Sequence, residues 1–216
     1  PVSLGKPIPS TLAGQLVWWK SGPDWVLAAR DLNWQGAGLN IMLDSQIQFY
    51  HSKNAPMLNL AARIAPFDFK TAKRFWLRNS MPDSSIRWLD MALVKGQIRD
   101  ASIVMAGDLG RWPFTDKAGR FSARATILAE QFKFAADWPE AQNAKLFTDF
   151  NGPGFTAIGT ASFLGNPIEL KTSGIESFAK SDLKVNVHSS SKMQTLLPVL
   201  KNTPHKNTVG DLVVGL

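Results

Sequence analysis

Side chains able to do chemistry are few and scattered. His51, His188 and His205 lie far apart along the chain, and none sits in a recognisable motif. There is no His-Glu-x-x-His pair, no Gly-x-Ser-x-Gly elbow and no phosphate-binding Gly-rich loop. Gly36-Ala37-Gly38 lacks the third glycine and the following helix of a dinucleotide fingerprint, so it reads as a hairpin turn. Asp24, Asp31, Asp44, Asp108 and Asp116 fall beside turns or strand ends. Two of them brought together would supply the acid and base of a glycosidase. Asp is also an ordinary turn former, and that is the preferred reading. His51, following Phe49-Tyr50, is read as a solvated strand-end histidine. The absence of cysteine excludes disulfides and thiolate metal sites. The expectation is no enzyme, no cofactor and no metal.

Composition narrows the class. The chain has 216 residues, 44% hydrophobic and 19% charged, enough for a sizeable buried core. No apolar stretch approaches the length of about 18 residues needed to cross a bilayer. Basic residues exceed acidic ones, 24 to 17, for a net charge of +7. Such a surface favours anionic partners. The cations are scattered, with no Lys/Arg block of five, so a solubilising surface is favoured and no nucleic-acid partner is expected. The chain opens on Pro1 and stops at Leu216 just beyond the apolar run Leu212-Val213-Val214, and is read as an excised segment of a longer polypeptide.

The elements that would position any site are mostly strands. Leu12, Gly14, Leu16 and Trp18 alternate with Ala13, Gln15 and Val17, and after the Gly22-Pro23-Asp24 turn Trp25, Leu27 and Ala29 alternate with Val26, Ala28 and Arg30. Leu39, Ile41, Leu43, Ser45, Ile47 and Phe49 form a long third set, and Leu58, Leu60, Ala62 and Ile64 a fourth. The period then changes. Ala72, Phe75 and Trp76 have helical spacing, and after Met81-Pro82 a second helix carries Ile86, Leu89 and Leu93 on its apolar face and ends at Gly96. Strands resume from Ile98 through Ala101, Ile103 and Met105, with a loop from Gly107 to Pro113. The longest alternation follows: Phe121, Ala123, Ala125 and Ile127; Phe132, Phe134 and Ala136; Ala144, Leu146, Thr148 and Phe150; and Phe155, Ala157, Gly159, Ala161 and Phe163. Ile168, Leu170 and Thr172 extend the pattern, as do Leu183, Val185 and Val187. Met193, Leu196, Leu197 and Leu200 have helical spacing again.

A period of two places the apolar set on one face of a sheet. That face must be buried against another layer or hold something apolar of its own. With eight Trp, thirteen Phe and one Tyr, the aromatics are skewed toward Phe, and periodicity alone favours the core of a β-sandwich. Small residues on the same face (Ala123, Ala125, Ala157, Gly159, Ala161) leave room, which suits a surface for acyl chains. Both readings stay open on the residues.

Arg74 to Asp90, Arg-Phe-Trp-Leu-Arg-Asn-Ser-Met-Pro-Asp-Ser-Ser-Ile-Arg-Trp-Leu-Asp, resembles the YhdP family of AsmA-like proteins. Gly96-Gln97-Ile98-Arg99-Asp100-Ala101, Gly107-Asp108-Leu109, Trp112-Pro113-Phe114, Gly119-Arg120-Phe121, Phe134-Ala135-Ala136-Asp137-Trp138-Pro139 and Phe150-Asn151-Gly152 follow in the family's order over roughly residues 60–160. The resemblance implies a long envelope protein of diderm bacteria, anchored in the inner membrane by one helix and crossing the periplasm. It implies a curled β-sheet with a continuous hydrophobic groove that carries phospholipids toward the outer membrane, and no catalytic residues.

The expected fold is therefore mostly β. A long twisted antiparallel sheet curls into an open hydrophobic groove, a β-taco, with helical insertions near 71–94 and 190–201. Residues 1–216 form one segment, with strand sets over 10–65 and 97–188 and the start of another strand at 209–216. The candidate groove lining is Leu39, Ile41, Leu43, Ile47, Phe49, Leu58, Leu60 and Ile64 from the first set. The second set contributes Ile103, Met105, Phe121, Ala123, Ala125, Ile127, Phe132, Phe134, Leu146, Phe150, Phe155, Ala157, Leu183, Val185 and Val187. The expected partners are phospholipid acyl chains, and both membranes through the rest of a longer protein. Arg124, Lys133 and Lys145 are read as rim cations for anionic headgroups, and the helical pair as a cover over the groove's mouth or as an edge cap. Two rivals remain: a β-sandwich module binding glycan or protein through an exposed Trp such as Trp112 or Trp138, and a structural spacer filled by its own side chains.

Overall fold

A computed structural model describes residues 9–75, 83–112, 114, 116–136, 138–152, 154–176 and 183–189. The expected helix at 190–201 and strand at 209–216 lie outside them. The chain is mostly β, and among the described residues eleven strands form one open antiparallel sheet. They are β1 (Ser10–Ser21), β2 (Asp24–Gly36), β3 (Leu39–Phe49), β4 (Met57–Ile64), β5 (Phe67–Asp68), β6 (Leu93–Asp108), β7 (Gly119–Phe132), β8 (Ala141–Asn151), β9 (Gly154–Phe163), β10 (Asn166–Ile175) and β11 (Leu183–His188). Spatial order follows chain order, β1-β2-β3-β4-β6-β7-β8-β9-β10-β11, and the short β5 pairs β6 beside the end of β4.

This meander follows from its tight turns. The β2–β3 link is Ala37 and Gly38 and the β9–β10 link is Leu164 and Gly165, all four at positive φ. Two-residue loops of that conformation match the twist of the strands they join. Bulges interrupt β2 between Ala29 and Leu32, β6 between Arg99 and Ser102, β8 between Gln142 and Lys145, and β10 between Leu170 and Ser173. Three of them contain an Asp or Asn at positive φ: Asp31, Asp100 and Asn143. These residues tolerate the left-handed region better than most. Each bulge bends its strand and adds local twist, so a sheet bulged in every second strand from β6 to β10 does not stay flat.

Two helices interrupt the meander between β5 and β6. Asp68 caps α1 (Phe69–Lys73), its carboxylate accepting the Thr71 N–H at 2.7 Å. The second helix, α2, spans Asp83–Ala92. The sequence pattern placed both differently. α1 begins two residues before Thr71 and buries Phe69 and Ala72, while Phe75 lies past its end and Trp76 is outside the described residues. α2 stops at Ala92, so Leu93, Val94 and Gly96 are strand. Pairing decides this: Leu93 lies opposite Phe132 and Gly96 opposite Ala129, and the ladder with β7 outweighs helical spacing.

The core lies on one face of the sheet, beneath the helices. Phe69 and Ala72 of α1 pack with Leu93, Ile98 and Ala101 of β6, Ala129 of β7, Ala141, Ala144 and Leu146 of β8 and Ala161 of β9. Leu89 of α2 packs against the same cluster. Small residues in the sheet let the helices approach closely, and the bulky Phe69 fills the space.

Candidate functional site

Residues directly paired across antiparallel strands project to the same face, so the register settles which side chains share a surface. Leu32 pairs Leu43, which pairs Ala62, then Ile103, Ala123, Phe150, Phe155 and Ile175. This apolar row crosses eight strands without a polar residue, about 34 Å at ~4.8 Å per strand. In the ladder with β11, Ile175 pairs Leu183. The row one position along reads Asn33, Met42, Arg63, Ser102, Arg124, Asp149, Thr156 and Gly174, and belongs to the opposite face. There Arg124 Nε donates to Asp149 Oδ2 at 3.0 Å. The sheet thus has one oily side and one more polar side, which also carries exposed Met42, Val104, Phe147 and Ile158.

The sequence-predicted residues fall accordingly. Leu39, Ile41, Ile47 and Phe49 of β3, Leu58, Leu60 and Ile64 of β4, and Met105 of β6 share the face of the apolar row. Phe121, Ala125, Ile127 and Phe132 of β7, Leu146 of β8 and Ala157 of β9 lie there too. Val187 pairs Leu170 on that face, and Val185 lies two residues before it. Phe134 is not on a strand. It follows the end of β7, where its carbonyl accepts the Trp88 indole N–H at 2.9 Å and its ring meets Trp138 edge-on. Thr172 sits in the β10 bulge, and Ser173 takes its place opposite Ala157. Arg124 and Lys145 are on the polar face, so neither is a rim cation of the oily one. Both alternate with the apolar residues of their own strands, and pairing keeps them on the far side.

Both ends of the strands that carry the row are covered at the centre of the sheet. The helices lie over one end, near the beginning of β6. Over the other end lies the segment between β6 and β7, which begins with a 3₁₀ turn (Leu109–Arg111). Trp112 meets Phe121 edge-on at 5.1 Å, and Phe114 is buried with its ring over Gly107 and Gly119. A Cβ at Gly119 would stand 2.4 Å from that ring, so only glycine admits it. The pattern of alternation could not reveal this second cover. Its signal is the aromatic pair Trp112 and Phe114 flanked by glycines.

The titratable candidates are occupied as turn and loop formers. Asp24 accepts the His51 N–H at 3.0 Å and Gln48 Nε2 at 3.1 Å. Asp44 accepts the Asp31 N–H, and Asp108 the Gly110 N–H, both at 2.9 Å. The Asp116 carboxyl is held below the usual range by the Ala118 N–H and by Arg111. Among the described residues no group of three His, Asp or Glu is placed to hold a metal ion. No described helix is long and apolar enough to cross a membrane.

Residues 4–216 match the family described as YhdP protein. The chain belongs to the YhdP family. It is also similar to the intermembrane phospholipid transporter YhdP of Escherichia coli (strain K12), with 24% identity over 160 residues. That alignment covers 74% of this chain and 13% of the transporter, so the YhdP family chain described here spans a small part of its relative's length. No solved structure matches it.

Proposed function

We propose that this chain is a non-catalytic segment of a longer, inner-membrane-anchored bridge across the periplasm, and that its oily face guides phospholipid acyl chains toward the outer membrane. The supporting observation is the unbroken apolar row from Leu32 to Ile175, which runs across the strands. An acyl chain laid along it needs no specific polar contact. Each buried CH₂ gains about 0.8 kcal/mol, so two tails are held by area alone. Directional hydrogen bonds would fix a lipid at one register, whereas a uniform apolar surface lets it slide. The helices and the Trp112–Phe114 segment border the row at the two ends of the central strands. The remaining length of the protein would reach the two membranes. The relative's name, intermembrane phospholipid transporter, agrees with this role.

Neighbouring positions on opposite faces give the test. A photo-crosslinking amino acid is placed at Ile103, in the row, or at Val104, on the polar side, within the full-length protein. Phospholipid adducts are then read by mass spectrometry. Strong labelling at position 103 and little at 104 is expected. Equal labelling, or none at 103, would remove the basis for transport along this face and favour a spacer.

A further inference from the structure

The polar side of the sheet carries a hollow of its own. It spans β1 to β4 and β6 and has a volume of about 730 Å³, within the range of small-molecule sites. The register explains why it is there. Val17, Ala28, Gln46, Asn59 and Ala106 form one row across the five strands. Ala61 and Val104 adjoin it in the next. Ala28, Ala61 and Ala106 form part of its floor, where their short side chains leave room.

The walls have a particular chemistry. Trp19 lines one side and is 39% exposed, an aromatic ring left on the polar face of an edge strand. Gln46 and Asn59 are paired neighbours, and each presents a primary amide to the hollow. Among the described residues neither amide, nor the Arg30 guanidinium, is engaged by a protein hydrogen bond or ion pair. Asp44 is oriented by the Asp31 N–H. Arg30 and Asp44 are the charged residues of the lining, and they balance.

We propose that this hollow binds a neutral oligosaccharide. A pyranose ring has an apolar C–H face and a rim of hydroxyls that both donate and accept. An exposed indole matches the face. Planar amides, each with a donor and an acceptor end, match adjacent hydroxyls. Charge balance gives an anionic polymer or headgroup no advantage, although the chain as a whole is basic. The inference does not depend on lipid transport, because the two surfaces are opposite sides of one sheet.

The test titrates the 216-residue chain with cellotetraose, N-acetylchitotetraose and, for contrast, tetragalacturonate, followed by ¹H–¹⁵N NMR. At least one neutral tetrasaccharide should shift the Trp19 indole signal, with a Kd on the order of 1 mM or tighter. Trp19→Ala should weaken that binding about tenfold. Gln46→Ala/Asn59→Ala should do the same while leaving the aromatic ring in place. The proposal is overturned if neither neutral sugar shifts these signals, if both variants bind like the parent, or if tetragalacturonate binds more tightly.

Discussion

The same oily face meets two fates in this sheet. Under the helices, Leu93, Ala129, Ala144 and Leu146 are at most 4% exposed. On β1 and β2, equivalent positions are open: Leu12 57%, Leu16 47%, Trp18 68% and Trp25 52%. Alternation in sequence is alike in both places, and bulges interrupt the pairing in both. What differs, among the described residues, is the presence of a covering element. The centre of the sheet is therefore where burial generates stability, while the β1 end leaves a broad apolar surface bare. Folded monomers seldom expose so much contiguous apolar area without a use for it. Stability and surface function should consequently separate along the strand order, and substitutions at the two places can test that.

The largest effect is expected at the covered end. Phe69→Ala removes the ring that fills the space between α1 and β6–β8, and should cost about 4 kcal/mol. Guanidinium unfolding would show a lower midpoint with an unchanged slope. A loss below about 1 kcal/mol would mean that the helices rest on the sheet without supporting it.

Gly96→Ala addresses the same region through the backbone. Gly96 has φ +151°, and an added Cβ would stand 2.2 Å from the Leu128 carbonyl oxygen and 2.8 Å from the Phe69 ring. Strain and displacement together should cost about 3 kcal/mol, read from the same unfolding curve. A neutral outcome would show that β6 and β7 can shift apart here, and would weaken the contrast with the bare end.

These two residues also mark what the sequence could and could not reveal. The period of two was visible because pairing preserves it: Leu39 to Phe49 and Phe121 to Ile127 alternate without interruption and land on one face. The same parity also placed Arg124 and Lys145 on the other face, against their reading as rim cations. Bulges were not visible. At Leu170 the strand gains a residue, so the count of twos put Thr172 where Ser173 belongs. The end of α2 was misplaced because Leu93 is apolar whether counted by fours or paired with Phe132, and local spacing cannot weigh a ladder formed with residues some forty positions away. The cover at Trp112 and Phe114 was missed because a period of two does not register a ring folded back over the glycines at 107 and 119. The hollow around Trp19 needed the register of five strands at once.

A smaller effect should follow from the cap of α1. The Asp68 carboxyl is held below its usual value by hydrogen bonds from Thr71, first from its hydroxyl and then from its backbone N–H. A depressed folded-state value means that the stabilisation is complete above the ordinary carboxylate range. It is lost as the pH falls through the lowered value. Asp68→Ala should therefore unfold slightly earlier than the parent at neutral pH, and the two curves should converge in acid. A difference that is constant with pH would assign the effect to helix propensity rather than to the charged cap.

The smallest effect on stability, and the most informative for function, is expected at the bare end. Trp18→Ala removes a side chain that is two-thirds exposed and sits on an edge strand, so its loss should change stability by less than about 0.5 kcal/mol. If the oily face carries acyl chains along the strand order, the same substitution removes part of that surface. Phospholipid recovered with the purified protein, counted by mass spectrometry, should then fall although the fold is intact. Phe69→Ala should behave in the opposite way, with the unfolding midpoint moving while lipid per folded molecule stays near the parent value. The crossed pattern is the decisive feature. A Trp18→Ala protein that loses stability along with lipid would show that the β1 end is itself structural. One that keeps both would show that the exposed apolar face lies off the lipid path.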